Sequence, residues 1–374
     1  MLAETIECIP EPAPAAAGGT DEYRDLLLAA SSAAPDATTP APKLDPLPKF
    51  GDPSRFRATI DTSRFFKPPR AFRYTEQTVA GENRSDNHFQ GVARAGDYLL
   101  VTGADWTERR AHLLIVKVKR DAQGAPTGGS LERIVAIDTQ RPHPGGVQRS
   151  GNLLVVPVEG GGLDSCVRFF DVSDPASPKQ VGGSTIVRKN RKKAGAAGVA
   201  RLPDGRLLVA VWWDEKKKSR LGFYLSKSTN PADGFHPKGF EVDFKPVVGK
   251  DRTYQAIALL SPELVAGAAG QEVRLWFVGL HNDTSKSGFV NGSNQAELAE
   301  IRFPAPAAGG WADGTGGAFQ VGKVIPQTFN LQGFANFAAA AGVDVESENR
   351  LSIYATHLWR TGEGLQFCWC RTKP

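Results

Sequence analysis

Short apolar runs alternate with polar turns along most of the chain, and one arrangement of them recurs. HFQGVARAGDYLLVTGAD (88–105), HPGGVQRSGNLLVVPVE (143–159) and GAAGVARLPDGRLLVAVWWD (195–214) each join two runs through Ala-Gly-Asp, Ser-Gly-Asn or Pro-Asp-Gly. Such turns close β-hairpins. Two degraded copies follow at 254–283 and 334–357, so that the copies begin 55, 52, 59 and 80 residues apart. A third strand-like run follows each hairpin, as in HLLIVKV (112–118), VRFFDV (167–172), GFYLSK (222–227), LAEIRF (298–303) and QFCWC (366–370). A fourth follows the first four copies: LERIVAI (131–137), QVGGSTIV (180–187), FEVDFKPV (240–247) and FQVGKVI (319–325).

Four strands repeated at this period are the pattern of a β-propeller blade. The fifth copy runs to residue 374 without a fourth strand, and FRYTEQTV (72–79), ahead of the first hairpin, has the character of the missing one. The expectation is an all-β, five-bladed β-propeller over 55–374, with four antiparallel strands per blade and the last blade closed by an N-terminal strand. Closure through the chain ends hides the sheet edges. No amphipathic helix separates the strands, which disfavours a doubly wound α/β fold.

Within the second copy, VRFFDVSDPASPKQVGG resembles the LVIVD-type propeller repeat. The resemblance covers one blade and implies the fold alone; propellers host hydrolases, lyases, lectins and scaffolds.

Composition agrees: 40 glycines and 26 prolines penalise helix interiors and suit turns. The net charge of +5 divides into an acidic stretch, eight acids against three bases in residues 1–50, and a basic remainder. Residues 1–54, rich in Ala and Pro, read as a disordered tail with one short helix over 21–34. The start lacks a cationic region and no apolar window is long enough to span a bilayer, so a cytoplasmic location without membrane contact is expected. The four cysteines are too few for a disulfide framework. Cys368 and Cys370 fall on one face of a strand and read as buried apolar residues.

The candidate site follows from propeller geometry. First strands line the central channel, and the segment leading into each opens on the same face as the loop between its second and third strands. Leading into first strands stand His88, His143, Gly195, Tyr254 and Phe334; ending second strands stand Asp105, Glu159, Trp213, His281 and His357. Four of the six histidines fall in these ten positions. His88, His143, Asp105 and Glu159 are the candidates for acid–base catalysis, and His281, His357, Trp213, Tyr254, Gln255, Asn282 and Asn336 for holding a ligand. Imidazoles beside carboxylates also suit a divalent metal ion, and they equally suit capping a channel by bonding to loop backbones.

On the same face, RKNRKK (188–193) and DEKKKSR (214–220) concentrate positive charge, so Arg188, Lys189 and Lys192 join the ligand-binding candidates. A nucleic-acid partner is disfavoured, because aromatics do not interleave with these bases. The expected function is binding of a small polar, anionic ligand, with acid–base or metal-assisted chemistry of the hydrolase or lyase type. Alternatives are a scaffold that presents the basic face to a protein partner, or a carbohydrate-binding propeller.

Overall fold

A computed structural model describes residues 63–66, 88–105, 109–124, 126–190, 192–215, 218–237, 239–244, 253–261, 272–283, 293–306, 319–329, 331, 335–347, 350–357 and 367–371. The tail of 1–54 and the segment 72–79 lie outside them. Described residues form strands, turns and one short 3-10 helix at Pro231–Asp233. Among them, no helix is long and apolar enough to cross a membrane.

Chain order begins with β1 (Ser63–Phe66), followed by β2 (Phe89–Ala95), β3 (Tyr98–Asp105), β4 (Arg110–Arg120) and β5 (Pro126–Asp138). The second group is β6 (His143–Pro144), β7 (Gln148–Ser150), β8 (Leu153–Glu159), β9 (Ser165–Asp171), β10 (Lys179–Gln180) and β11 (Ile186–Arg188). Then come β12 (Ala196–Arg201), β13 (Leu207–Glu215), β14 (Lys218–Leu225) and β15 (Phe240–Asp243). The fourth group is β16 (Ala256–Leu260), β17 (Glu272–Asp283), β18 (Ser293–Pro304), β19 (Gln320–Val321) and β20 (Ile325–Phe329). Last are β21 (Ala335–Ser347), β22 (Arg350–His357) and β23 (Phe367–Arg371).

Each group pairs antiparallel with its own neighbours, and the hairpins expected from the turns at 95–97, 150–152 and 203–205 are present. Gly96, Gly151 and Gly205 supply positive φ there, at 58°, 58° and 85°. The first and last groups join through one parallel bridge, Gly91 to Ala341, into a single eight-stranded sheet. The strand that completes the last group is β1, with Ser63 opposite Cys370 and Phe66 opposite Phe367. Expectation had put 72–79 in that place. Both segments are short and apolar enough to pair, and periodicity alone does not choose between them.

Sheets are apolar on both faces because each packs between two others. From β8, Leu154, Val156 and Val158 face Leu100, Leu113 and Ile115, whereas Leu153 and Val155 face Val199, Leu207 and Val209. The other side of the third group meets the fourth through Leu208, Phe223, Leu259 and Phe277. The fourth meets the last through Val278, Leu298, Val343 and Ile353. The last meets the first through Tyr354, Trp369, Val92 and Leu114.

The recurring glycines mark where the first strands of different groups touch. A Cβ on Gly91 would stand 2.8 Å from the Val147 nitrogen, one on Gly146 would stand 1.9 Å from the Gln255 oxygen, and one on Gly342 would stand 1.6 Å from the Val92 oxygen. Backbone bonds run between them, from Gly146 N to Gly195 O (3.0 Å) and from Ala197 N to Gly146 O (2.9 Å). At this level backbone meets backbone, and no side chain fits.

Candidate functional site

His143 and Glu159 are brought together because β6 and β8 run antiparallel with these two residues directly opposite. His143 Nδ1 lies 3.3 Å from Glu159 Oε1. The other carboxylate oxygen accepts the backbone N–H of Ala194 at 2.6 Å, in the segment leading into β12. Burial works to raise the Glu159 carboxyl, but the His143 hydrogen bond and charge, the Ala194 N–H and the Lys193 charge outweigh it and hold it below the ordinary 4.5.

His143 turns its remaining nitrogen to Gln90, whose Nε2 donates to His143 Nε2 at 3.0 Å. The same amide nitrogen bonds to His88 Nε2, and the two imidazole rings lie 5.3 Å apart at 54°. Donation from His143 Nδ1 to Glu159 and from the Gln90 amide to Nε2 corresponds to an Nδ1–H tautomer with Nε2 as acceptor. Glu159 therefore orients the imidazole as a carboxylate does in a nucleophile-activating triad. His88, His143 and Glu159 are part-exposed, whereas Gln90 is buried.

Acid titration checks the dyad. A carboxyl whose folded pKa is depressed contributes stability above its unfolded pKa and loses it as pH falls through the folded value. Glu159→Gln is therefore expected to lower stability by a constant amount above about pH 4.5, with the gap to the parent closing below that, read from urea midpoints across pH.

The other candidates fall into distinct surroundings. Tyr254, His281 and Trp213 are 2%, 3% and 2% exposed, so none of them presents the open surface that the sequence reading gives it. The Tyr254 ring occupies the space a side chain at Gly279 would take, 5.5 Å from the His281 ring. Its hydroxyl donates to Glu297, whose other oxygen lies 3.6 Å from His281 Nε2. Trp213 drops against Gly222 and is covered by the Arg188 guanidinium, 3.8 Å above its ring. It is a buried stacking surface, which corrects the expected open platform.

Asn336 ties backbone directly and Asn282 through a second side chain. Asn282 Nδ2 donates to Asn294 Oδ1 (3.0 Å), which also accepts the Phe337 N–H (2.8 Å); Asn336 Oδ1 accepts the Ala338 N–H at 2.7 Å. The Gln255 backbone sits against Gly146. Lys192 pairs with Glu241, and Lys189 is exposed. Asp105 pairs with Arg110 along β3 and β4, and His357 with Ala335 along β22 and β21; their side chains, like all of Phe334, lie outside the described residues. Among the described residues, no group of three or more His, Cys, Asp or Glu side chains could hold a metal ion.

Sequence reasoning missed Gln90 and Glu297. Gln90 had a readable signal, since it lies two residues beyond His88. Glu297 did not: the apolar run starts at 298, whereas β18 begins at Ser293.

Together these features define an all-β protein of curled sheets that carries a carboxylate–imidazole pair at its strand ends. No protein-family model and no curated protein matches the sequence, so the LVIVD-type resemblance of 167–183 stays local. Among solved structures, the chain is similar to the Bombyx mori GH32 beta-fructofuranosidase BmSUC1, with 10% identity and TM-score 0.44 over 94% of this chain and 67% of that one. It is also similar to the Trypanosoma rangeli sialidase in complex with the inhibitor DANA, with 13% identity and TM-score 0.38 over 77% of this chain and 46% of that one. These likenesses are remote, and no residue's role is carried over from them.

Proposed function

We propose that residues 55–374 form a five-bladed propeller, with 1–54 as an acidic tail outside it, and that its His143–Glu159 pair performs acid–base chemistry on a small polar ligand. The stacking of each strand group between two others supports the ring. One observation carries the chemistry: Glu159 is held by the Ala194 N–H and faces His143 Nδ1, which leaves His143 Nε2 as a base. A substrate hydroxyl or a water replaces Gln90 at Nε2 and gives up its proton there, and the Glu159 carboxylate stabilises the imidazolium that forms. His88, beside it, gives a proton to the leaving oxygen as the bond to it breaks and the bond to the attacking oxygen forms.

The test is turnover of a panel of small phosphate and carboxylate esters and glycosides by the full chain. His143→Ala is expected to lower kcat/KM by about 10²- to 10⁴-fold on any substrate turned over. Unchanged kcat/KM in that variant, or no turnover and no ligand-dependent stabilisation in the parent, overturns the reading.

A further inference from the structure

Arg188 ends β11 directly across from Ser165 of β9. The sequence makes it the first residue of a basic run, yet it is only 2% exposed. Strand alternation accounts for this: Ile186 and Arg188 point inward and Val187 outward. The guanidinium stacks over Trp213, 3.8 Å from the ring centroid, and its Nε donates to the Tyr224 hydroxyl at 3.0 Å. Among the described residues, neither terminal nitrogen of Arg188 nor Nε1 of Trp213, all buried, has a hydrogen-bond partner.

A buried cation is tolerated when it is paired and its donors are bonded. Here the stack offers N–H donors only. Carboxylates partner several other buried or half-buried arginines, as Asp138 does for Arg141 and Arg168 and Asp344 does for Arg149. A planar guanidinium fork matches an oxyanion through two parallel N–H bonds, and the basic segment around it favours negative charge. At 2% exposure Arg188 cannot meet the backbone of a polymer, which leaves a small ion or the end group of a ligand as its partner.

We propose that Arg188 and Trp213 form an oxyanion-binding site that takes a phosphate, sulfate or carboxylate group. It lies at the same end of the sheet as Glu159. Val158 pairs with Cys166, which places Glu159 level with Ser165, and Arg188 is the next strand out, roughly 10 Å from Glu159 at two strand spacings. The site stands on its own unbonded donors and does not depend on the chemistry proposed for His143.

Thermal unfolding and calorimetric titration of the full chain with inorganic phosphate, sulfate and acetate, at constant ionic strength in chloride, test it. Wild type is expected to bind at one saturable site with a rising midpoint, and the order of the three anions identifies the oxyanion preferred. Arg188→Met is expected to bind at least tenfold more weakly while melting no lower than wild type in chloride alone, because it removes an unpaired buried charge. Lys189→Ser with Lys193→Ser, and separately His143→Ala, are expected to keep binding within about threefold, so loss of turnover in the latter stays distinguishable from loss of the anion site. Trp213→Phe keeps the stack and removes the indole donor, and is expected to weaken binding severalfold should Arg188→Met fail to fold. The proposal is overturned if wild type shows no saturable site, if chloride shifts the midpoint as far, or if whichever of these two variants folds binds as wild type does.

Discussion

Gly146→Ala and Gly342→Ala are each expected to destabilise the fold by about 3 kcal/mol or more, the upper end of overpacking costs. The added methyl would meet the Gln255 oxygen at 1.9 Å in the first case and the Val92 oxygen at 1.6 Å in the second. In both, the obstacle is backbone of another strand group, which cannot step aside as a flexible side chain can. Gly96→Ala is the control: its φ is 58° and nothing lies within 4 Å of the added carbon, so the cost is that of a left-handed residue alone, about 1 kcal/mol. Urea midpoints with unchanged slopes measure all three. Equal losses at the three positions would contradict the close approach of the first strands.

Gln148→Leu is expected to cost about 3 kcal/mol, through orphaned backbone and not through lost volume. The Gln148 side chain is buried, its Oε1 accepts the N–H groups of Val199 (2.7 Å) and Leu259 (2.9 Å), and its Nε2 donates to the Leu259 oxygen (2.9 Å). One amide thus joins β7 to β12 and β16. Leucine fills similar space but leaves two donors and an acceptor without partners in a dry interior, each costing about 1–3 kcal/mol less whatever relaxation recovers. Thr102→Val, which loses one hydroxyl bond to the Gly145 oxygen (3.0 Å), is expected to cost about 1 kcal/mol on the same measurement.

The hairpins were legible in the sequence because each pairs two local signals, a glycine turn and flanking apolar runs. The outer strands were less so. QVGGSTIV reads as one strand, but Gly183, at φ 71°, turns the chain between Lys179–Gln180 and Ile186–Arg188. The site divided along the same line. His88, His143 and Glu159 can be singled out from the sequence because they sit at equivalent places in equivalent hairpins, and register carries His143 and Glu159 together. Whether a polar residue at those places faces solvent or the next sheet depends on what that sheet presents. Glycines at 222 and 279 let Trp213 and Tyr254 sink inward, and Arg188 follows the alternation of its strand. None of this is visible from spacing along one chain.

The central claim is that Glu159 fixes His143 with its proton on Nδ1 and its base nitrogen, Nε2, facing Gln90. Long-range proton–nitrogen correlation spectra of the histidine rings in the full chain report the tautomer directly. The expected result is a neutral Nδ1–H tautomer for His143 at pH 8, lost or mixed in Glu159→Gln. An Nε2–H tautomer in the parent, or a spectrum unchanged by Glu159→Gln, would contradict the account.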